Sequence, residues 1–170
     1  EVGSASGLVS LFLAKWANKR GLEYEITCIE PSLSNVQFLE ETAIKNMLNI
    51  QIIPLALSNQ NGWIKFCRDE TRGLVGDAID VINKEESNRV PSIDSKTLET
   101  FDLKVDICYI DAFVNESSIL INILETYKNI KYLIVEFDYG VPTFMRDKLK
   151  QYSYEQTDEI GINYFFSKIE

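Results

Sequence analysis

The chain predicts an α/β fold: a Rossmann-like three-layer α/β/α sandwich, with a mostly parallel sheet and a C-terminal antiparallel strand pair. Three features of the sequence carry that expectation. Apolar runs of helical period alternate with short β-rich runs along most of the 170 residues. Two runs, VDICYI (105–110) and KYLIVEF (131–137), are almost continuously apolar, as parallel strands covered on both faces are. After the last helical pattern come two β-rich stretches, 152–157 and 162–169, which read as a terminal hairpin.

The elements follow in order. EVGSASG (1–7) is a small-residue loop with an acid in front. Leu8, Leu11, Phe12 and Trp16 recur at helical spacing over 7–20, with Lys19 and Arg20 at the C-terminal end and Gly21 as the stop. YEITCI (24–29) reads as a strand that ends at Glu30, because Pro31 lacks a ladder donor and restricts the residue before it. Ser34 and Gln37 form a capping-box pattern for a second helix with the stripe Val36, Leu39, Ala43 and Met47. IQIIPLAL (50–57) is a third strand. SNQNG (58–62) is a turn, and WIKFC (63–67) returns antiparallel to its predecessor. The stretch 68–88 is polar and irregular, with some helix expected near 77–84. An extended piece near residue 90 leads to Asp94, which caps a short helix. The strand 105–110 ends at Asp111. A helix starting at Asn115 and Glu116 carries Leu120, Ile123, Leu124 and Tyr127. After the strand 131–137, Pro142 stands in the first turn of a helix bearing Met145 and Leu149. No repeat or linker divides the chain, so residues 1–170 read as one domain. The acidic loop at the very start predicts a strand before Glu1, hence a missing native N-terminal segment.

Composition excludes several functions. A net charge of −9 argues against a sequence-independent grip on nucleic acid and against an anionic membrane surface. There is no histidine, which removes Ser-His-Asp and Cys-His mechanisms and histidine-based metal sites. Cys28, Cys67 and Cys108 are odd in number and outside any CxxC, as expected of reduced packed thiols in a cytoplasmic protein.

The opening loop carries the chemistry. Gly3 and Gly7 let a ligand approach the backbone, and the helix behind them offers free N–H groups. Glu30, at the end of the next strand, can accept both hydroxyls of a ribose. Glu1 would repel a pyrophosphate but suits a cation such as the ammonium and sulfonium of S-adenosylmethionine. Asp111 ends a central strand above the same place. It could orient a substrate or deprotonate a hydroxyl if burial raised its pKa. It has no second carboxylate beside it in sequence, so no metal is expected. Tyr109, Trp63 and Phe113 are aromatics that could stack on a substrate.

At these residues the chain resembles the FkbM-type family of class I S-adenosylmethionine-dependent methyltransferases. EVGSASGLVSLFLAK is similar to the family's glycine motif, with Glu1, Gly3, Gly7 and Ser10 on the pattern. CIEP (28–31) matches its second motif, ALS (56–58) with the following turn its third block, SIDSKTL (92–98) its T-L-D-x-L segment, and YIDAFVNES (109–117) its I-D-x-E-G-x-E. KYLIVEF places Glu136 at the usual acid. The resemblance implies that Gly3, Ser4, Ala5 and Gly7 lie under the methionine part of S-adenosylmethionine, with Glu1 on its ammonium. Glu30 would take the ribose and Pro31 the adenine, with Ala56 and Leu57 lining the adenine pocket and Asp111 catalytic. It implies O-methylation of a small-molecule acceptor, a sugar or secondary metabolite. Phe113-Val114 replaces the family's Glu-Gly, which motivates a non-catalytic methyltransferase-like module as the alternative. A nicotinamide-dependent oxidoreductase is the other, because GxxxG and Glu30 permit it.

Overall fold

The structure, a computed structural model, describes residues 1–59, 61–65, 67–68, 77–78, 89–93, 95–112 and 116–169. In chain order it contains α1 (Leu8–Arg20), β1 (Ile26–Ile29), α2 (Leu33–Lys45), β2 (Ile50–Ile53), β3 (Ala56–Leu57), β4 (Gly62–Lys65), β5 (Cys67–Arg68) and β6 (Asp77–Ala78). It continues with β7 (Arg89–Ile93), α3 (Ser95–Leu98), a 3-10 turn (Glu99–Phe101), β8 (Ile107–Ile110), α4 (Glu116–Thr126), β9 (Tyr132–Glu136), α5 (Thr143–Gln151), β10 (Tyr154–Ile160) and β11 (Asn163–Lys168). The expected cap at Asp94, the helix start at Asn115 and most of the irregular stretch 68–88 lie outside the described residues. Asp77–Ala78, expected to open a helix, instead pairs with Cys67–Arg68.

β1 pairs parallel with β2, and β8 with β9. The opening segment joins these two pairs. Val2 bridges Ile29 on one side and Ile110 on the other. Its N–H donates to Tyr109 O at 2.9 Å, and its carbonyl accepts from Asp111 N at 3.0 Å. The strand order is therefore β2-β1-opening segment-β8-β9-β11-β10, parallel except for β11, which runs antiparallel to both its neighbours. The terminal hairpin was legible from the sequence, but its insertion was not: the last strand wedges between β9 and β10. A separate small sheet has the order β3-β7-β4.

The core centres on Leu133, Val135, Ile110, Ile119, Leu120, Leu124, Met145 and Tyr154. Tyr154 is buried, and its hydroxyl donates to Ile130 O at 2.6 Å, which satisfies the one polar atom it brings inside. Among the described residues, no helix is long and apolar enough to cross a membrane.

Several local expectations are corrected. α1 does not bury its large apolar side chains: Leu8 is 77% and Phe12 65% exposed, while Ser10, Ala14 and Ala17 face inward. Small inward residues bring the helix axis close to the sheet, which matters for the loop in front of it. In α2 the cap is Ser32 rather than Ser34, so the capping box does not form, and Met47 is exposed past the helix end. Residues 50–57 are not one strand. Pro54 breaks the run, and Ala56–Leu57 leaves β2 to pair with β7. β4 pairs antiparallel with β7 rather than with the strand before it. The run 105–110 is covered on one face only: Ile107 is 60% exposed and Tyr109 half-buried, whereas Cys108 and Ile110 are buried. Pro142 is the cap of α5 rather than a residue of its first turn.

Candidate functional site

Four parallel strand ends meet at one edge of the sheet: the opening segment at Gly3, β1 at Glu30, β8 at Asp111 and β9 at Glu136. The chain moves one way from the opening segment through β1 to β2, and the other way from β8 to β9. This reversal is the switch point at which open α/β sheets bind ligands beyond their carboxyl ends.

The loop between the opening segment and α1 is held in a left-handed conformation at three places, Gly3 (φ 76), Ala5 (φ 46) and Gly7 (φ 75). Gly3 is required by contact as well as by φ. A Cβ there would lie 1.8 Å from Asp111 O. Gly7 caps α1 without a side chain, and a Cβ on it would strike Leu39 Cδ1 at 2.2 Å. Gly3 thus seats the loop on β8, and Gly7 seats it on α2.

Glu30 is 4% exposed, and its N–H donates to Ile53 O at 3.1 Å. Its carboxylate accepts from Ala5 N (2.8 Å) through Oε2, and from Ser32 N (2.9 Å) and Asn35 Nδ2 (3.2 Å) through Oε1. The side chain expected to hold a ligand therefore also ties the opening loop to the start of α2. Pro31 follows it, partly buried.

Glu1 has a comparable second duty. Its carboxylate accepts from the Ser10 hydroxyl, and Cys28 Sγ lies 3.9 Å from the same oxygen. A backbone bond from Ser10 also acts on it. Ser10 is the third residue of α1, so Glu1 supplies the anionic cap that Gly7 cannot. Burial raises its pKa, and the Ser10 bonds oppose that.

Asp111 is fixed through its backbone, with N–H on Val2 O and carbonyl against Gly3. The register Tyr109↔Ile134 and Ile110↔Val135 sets Asp111 opposite Glu136, on the sheet face shared by Tyr109 and Ile134. Tyr109 shares that face with Glu136 of the neighbouring strand. Burial, and then the charges of Glu136, Glu116, Glu1 and Asp138, push the Asp111 carboxyl up to about 7. Burial, then Asp111, Glu136 and Glu1, push the Tyr109 hydroxyl up as well. Among the described residues, no group of three or more Cys, Asp or Glu has a metal-holding arrangement.

The raised Asp111 pKa makes a stability prediction. Between the ordinary carboxylate value and about 7, the folded protein holds a proton that the unfolded chain releases. The contribution is present in acid and is lost as pH rises through the folded value. Asp111→Asn should therefore raise the melting temperature clearly at about pH 8 and little at about pH 4. Thermal unfolding at the two pH values checks this; an equal change at both would contradict it.

The structure brings Glu1, Gly3, Ser4, Ala5, Gly7, Glu30, Pro31 and Asp111 to one edge. Ser4 is buried beneath the loop. Ala56 and Leu57 are packed inside at 1% and 2% exposure, so in this conformation they offer a ligand almost no surface. Trp63 is exposed on β4, in the other sheet, and Phe113 lies outside the described residues. Sequence reasoning named Ser10 and Glu136 only as motif positions and Tyr109 only as an aromatic that could stack on a substrate, and it did not name Asn35. The two-residue spacing of Tyr109 and Asp111, with Glu136 closing the next strand, was the available signal.

The fold is mixed α/β, with parallel and antiparallel strands in its sheets. Among solved structures, the chain is similar to methyltransferase FkbM from Methylobacillus flagellatus KT, with a TM-score of 0.64 at 12% identity, over 98% of this chain and 42% of that one. The chain thus spans about two fifths of the length of that structure. No family model and no curated protein matches the chain.

Proposed function

We propose that the chain is an S-adenosylmethionine-dependent methyltransferase domain, directed at a hydroxyl of a small molecule such as a sugar or secondary metabolite. The observation that carries this reading is the meeting of a left-handed glycine loop, a buried ribose-type carboxylate and a set of acidic strand ends at one switch point. Right-handed crossovers, the rule for such connections, would put α1 and α2 on one face of the sheet and α4 and α5 on the other, which supports a three-layer reading.

The residues fit the cofactor by the chemistry of their donors. Among the described residues, the charges that raise the Asp111 pKa are the four carboxylates Glu136, Glu116, Glu1 and Asp138. That environment favours an ammonium and a sulfonium and disfavours a pyrophosphate, which argues for this cofactor over a nicotinamide dinucleotide. When bound, S-adenosylmethionine would supply an electrophilic methyl group on a good leaving group. Glu30 would accept from the ribose hydroxyls, exchanging the long bond from Asn35 for one of them. Gly3, Ser4, Ala5 and Gly7 would form the floor under the methionine part, with Glu1 near its ammonium, and Pro31 would lie against the adenine. Asp111 would face the acceptor. Alignment and exclusion of water supply much of the rate of an in-line displacement, so the lack of histidine is no obstacle. The net charge of −9 favours a neutral or cationic small molecule as partner over nucleic acid or an anionic membrane.

Calorimetric titration tests the reading. S-adenosylhomocysteine should bind saturably, with a Kd on the order of micromolar to tens of micromolar, about −7 to −8 kcal/mol. NADH should give no heat of binding. Absence of binding by S-adenosylmethionine and S-adenosylhomocysteine at millimolar concentration would sink the proposal.

A further inference from the structure

One face of the sheet is packed and the other is partly bare. Across β8, β9 and β11, the rows Cys108–Leu133–Phe166 and Ile110–Val135–Tyr164 are buried in the core with Leu120 and Leu124 of α4 and Met145 and Leu149 of α5. The alternate rows, Ile107–Tyr132–Ser167 and Tyr109–Ile134–Phe165, point the other way. There Ile107 and Tyr132 (53%) are exposed, and Tyr109, Ile134 and Phe165 are half-buried. Three strands about 4.8 Å apart make an apolar trough about 10 Å across, the width of one helix.

α1 stands on that same face. Val2 shares the packed face with Ile29 and Ile110, so Glu1 and Cys28 point to the other side, where they meet Ser10 of α1. Ser10, Ala14 and Ala17 turn inward, while Leu8 and Phe12 look outward. One flank of α1 faces α2, because a Cβ on Gly7 would strike Leu39. At about 100° per residue, Val9, Leu13 and Trp16 stand on the opposite flank, beside the trough. All three are exposed. α1 also carries Lys15, Lys19 and Arg20 and no acid, in a chain of net charge −9. The trough ends in acids instead, Glu136 and Asp138.

We propose that this face is a self-association surface: two copies pair about a two-fold axis, each laying the apolar side of α1 in the other's trough. Both halves of the contact are present on one chain, which is what an isologous interface requires. α1 runs back against the parallel strands on either side of it. A two-fold axis across the helix reverses it, so the second α1 runs along the trough with Lys15, Lys19 and Arg20 directed toward Glu136 and Asp138. The size fits as well. At roughly 200 Å² for a whole large side chain, Leu8, Phe12, Leu13, Trp16, Ile107 and Tyr132 leave on the order of 700 Å² exposed. That exceeds the largest apolar patch of a typical monomer, and it approaches the ~800 Å² per partner of a stable interface. The pairing does not depend on the methyltransferase reading.

Sedimentation velocity of the whole chain tests this. At about 50 µM it should show a particle of twice 19.5 kDa, since interfaces of this size bind at micromolar Kd or tighter. Phe12→Glu on the helix and Ile107→Glu in the trough should each raise the dimer Kd at least about tenfold, because each would bury an unpaired carboxylate. Circular dichroism and thermal unfolding of the same samples show whether the separated chains are folded. If Phe12→Glu does not fold, Leu8→Glu, exposed on the same side of α1, takes its place. A wild-type chain that sediments as a monomer at about 50 µM overturns the proposal. A dimer that survives both substitutions also overturns it, by placing the contact elsewhere. So does a dimer lost with the helix substitution but kept in a folded Ile107→Glu, because the trough is then not what α1 meets.

Discussion

Gly3→Ala should lower the melting temperature by about 10 °C. The added Cβ would sit 1.8 Å from Asp111 O and 2.8 Å from Asp111 C, both backbone atoms that cannot rotate away. Relief requires the opening segment to leave β8, giving up the bonds Val2 N to Tyr109 O and Asp111 N to Val2 O. Two ladder bonds at about 1 kcal/mol each, plus the left-handed strain of an alanine at φ 76, sum to roughly 3–4 kcal/mol. At about 2–4 °C per kcal/mol for a chain of this size, that is the stated shift. Gly21→Ala is the matched control. Its φ of 65 is equally left-handed, but nothing lies within 4 Å of an added Cβ. It should cost only about 1 kcal/mol, the backbone strain alone. If the two variants melt together, the contact with Asp111 is not what demands glycine at Gly3.

Glu30→Ala and Glu30→Gln should both weaken S-adenosylhomocysteine binding, by about tenfold or more, while differing in stability. The alanine leaves the Ala5 and Ser32 N–H groups without their acceptor, at about 1–3 kcal/mol each. The glutamine can keep its oxygen on Ser32 and Asn35 but turns an amide N–H toward Ala5 N, so only the tether to the opening loop is lost. Calorimetry and thermal unfolding on the same samples separate the two effects. A Glu30→Gln variant with wild-type affinity would take Glu30 out of the binding site and leave it as a tether alone.

The sequence announced the parallel strands, the terminal hairpin and the strand-end positions of Glu30 and Asp111, because each rests on local pattern. Apolar runs and the residues that end them are visible one segment at a time. What it hid depends on pairing between distant segments. Leu8, Phe12 and Trp16 make a convincing stripe, yet the sheet takes the opposite face of α1, because Ser10, Ala14 and Ala17 allow the close approach that brings Ser10 to Glu1. The break at Pro54 was in plain sight, but the capture of Ala56–Leu57 by β7 requires a partner some 35 residues away. The same holds at the site. Glu136 is legible as an acid at a strand end, whereas its place opposite Asp111, on the face shared with Tyr109, exists only once β8 and β9 are in register.

The bridge of Val2 to both Ile29 and Ile110 also constrains the route by which the molecule assembles. A strand bonded on both sides has no place to dock until β1 and β8 are both present, and those neighbours lie some 27 and 108 residues along the chain from it. Loop closure of that span is slow, and its entropy is spent before any contact rewards it. The opening segment is therefore expected among the late pieces to set, and the ligand edge to be completed only at the final stage of folding. Once in place, the amides of Val2 and Asp111, each hydrogen-bonded across that junction, should exchange with deuterium only through opening of the whole sheet.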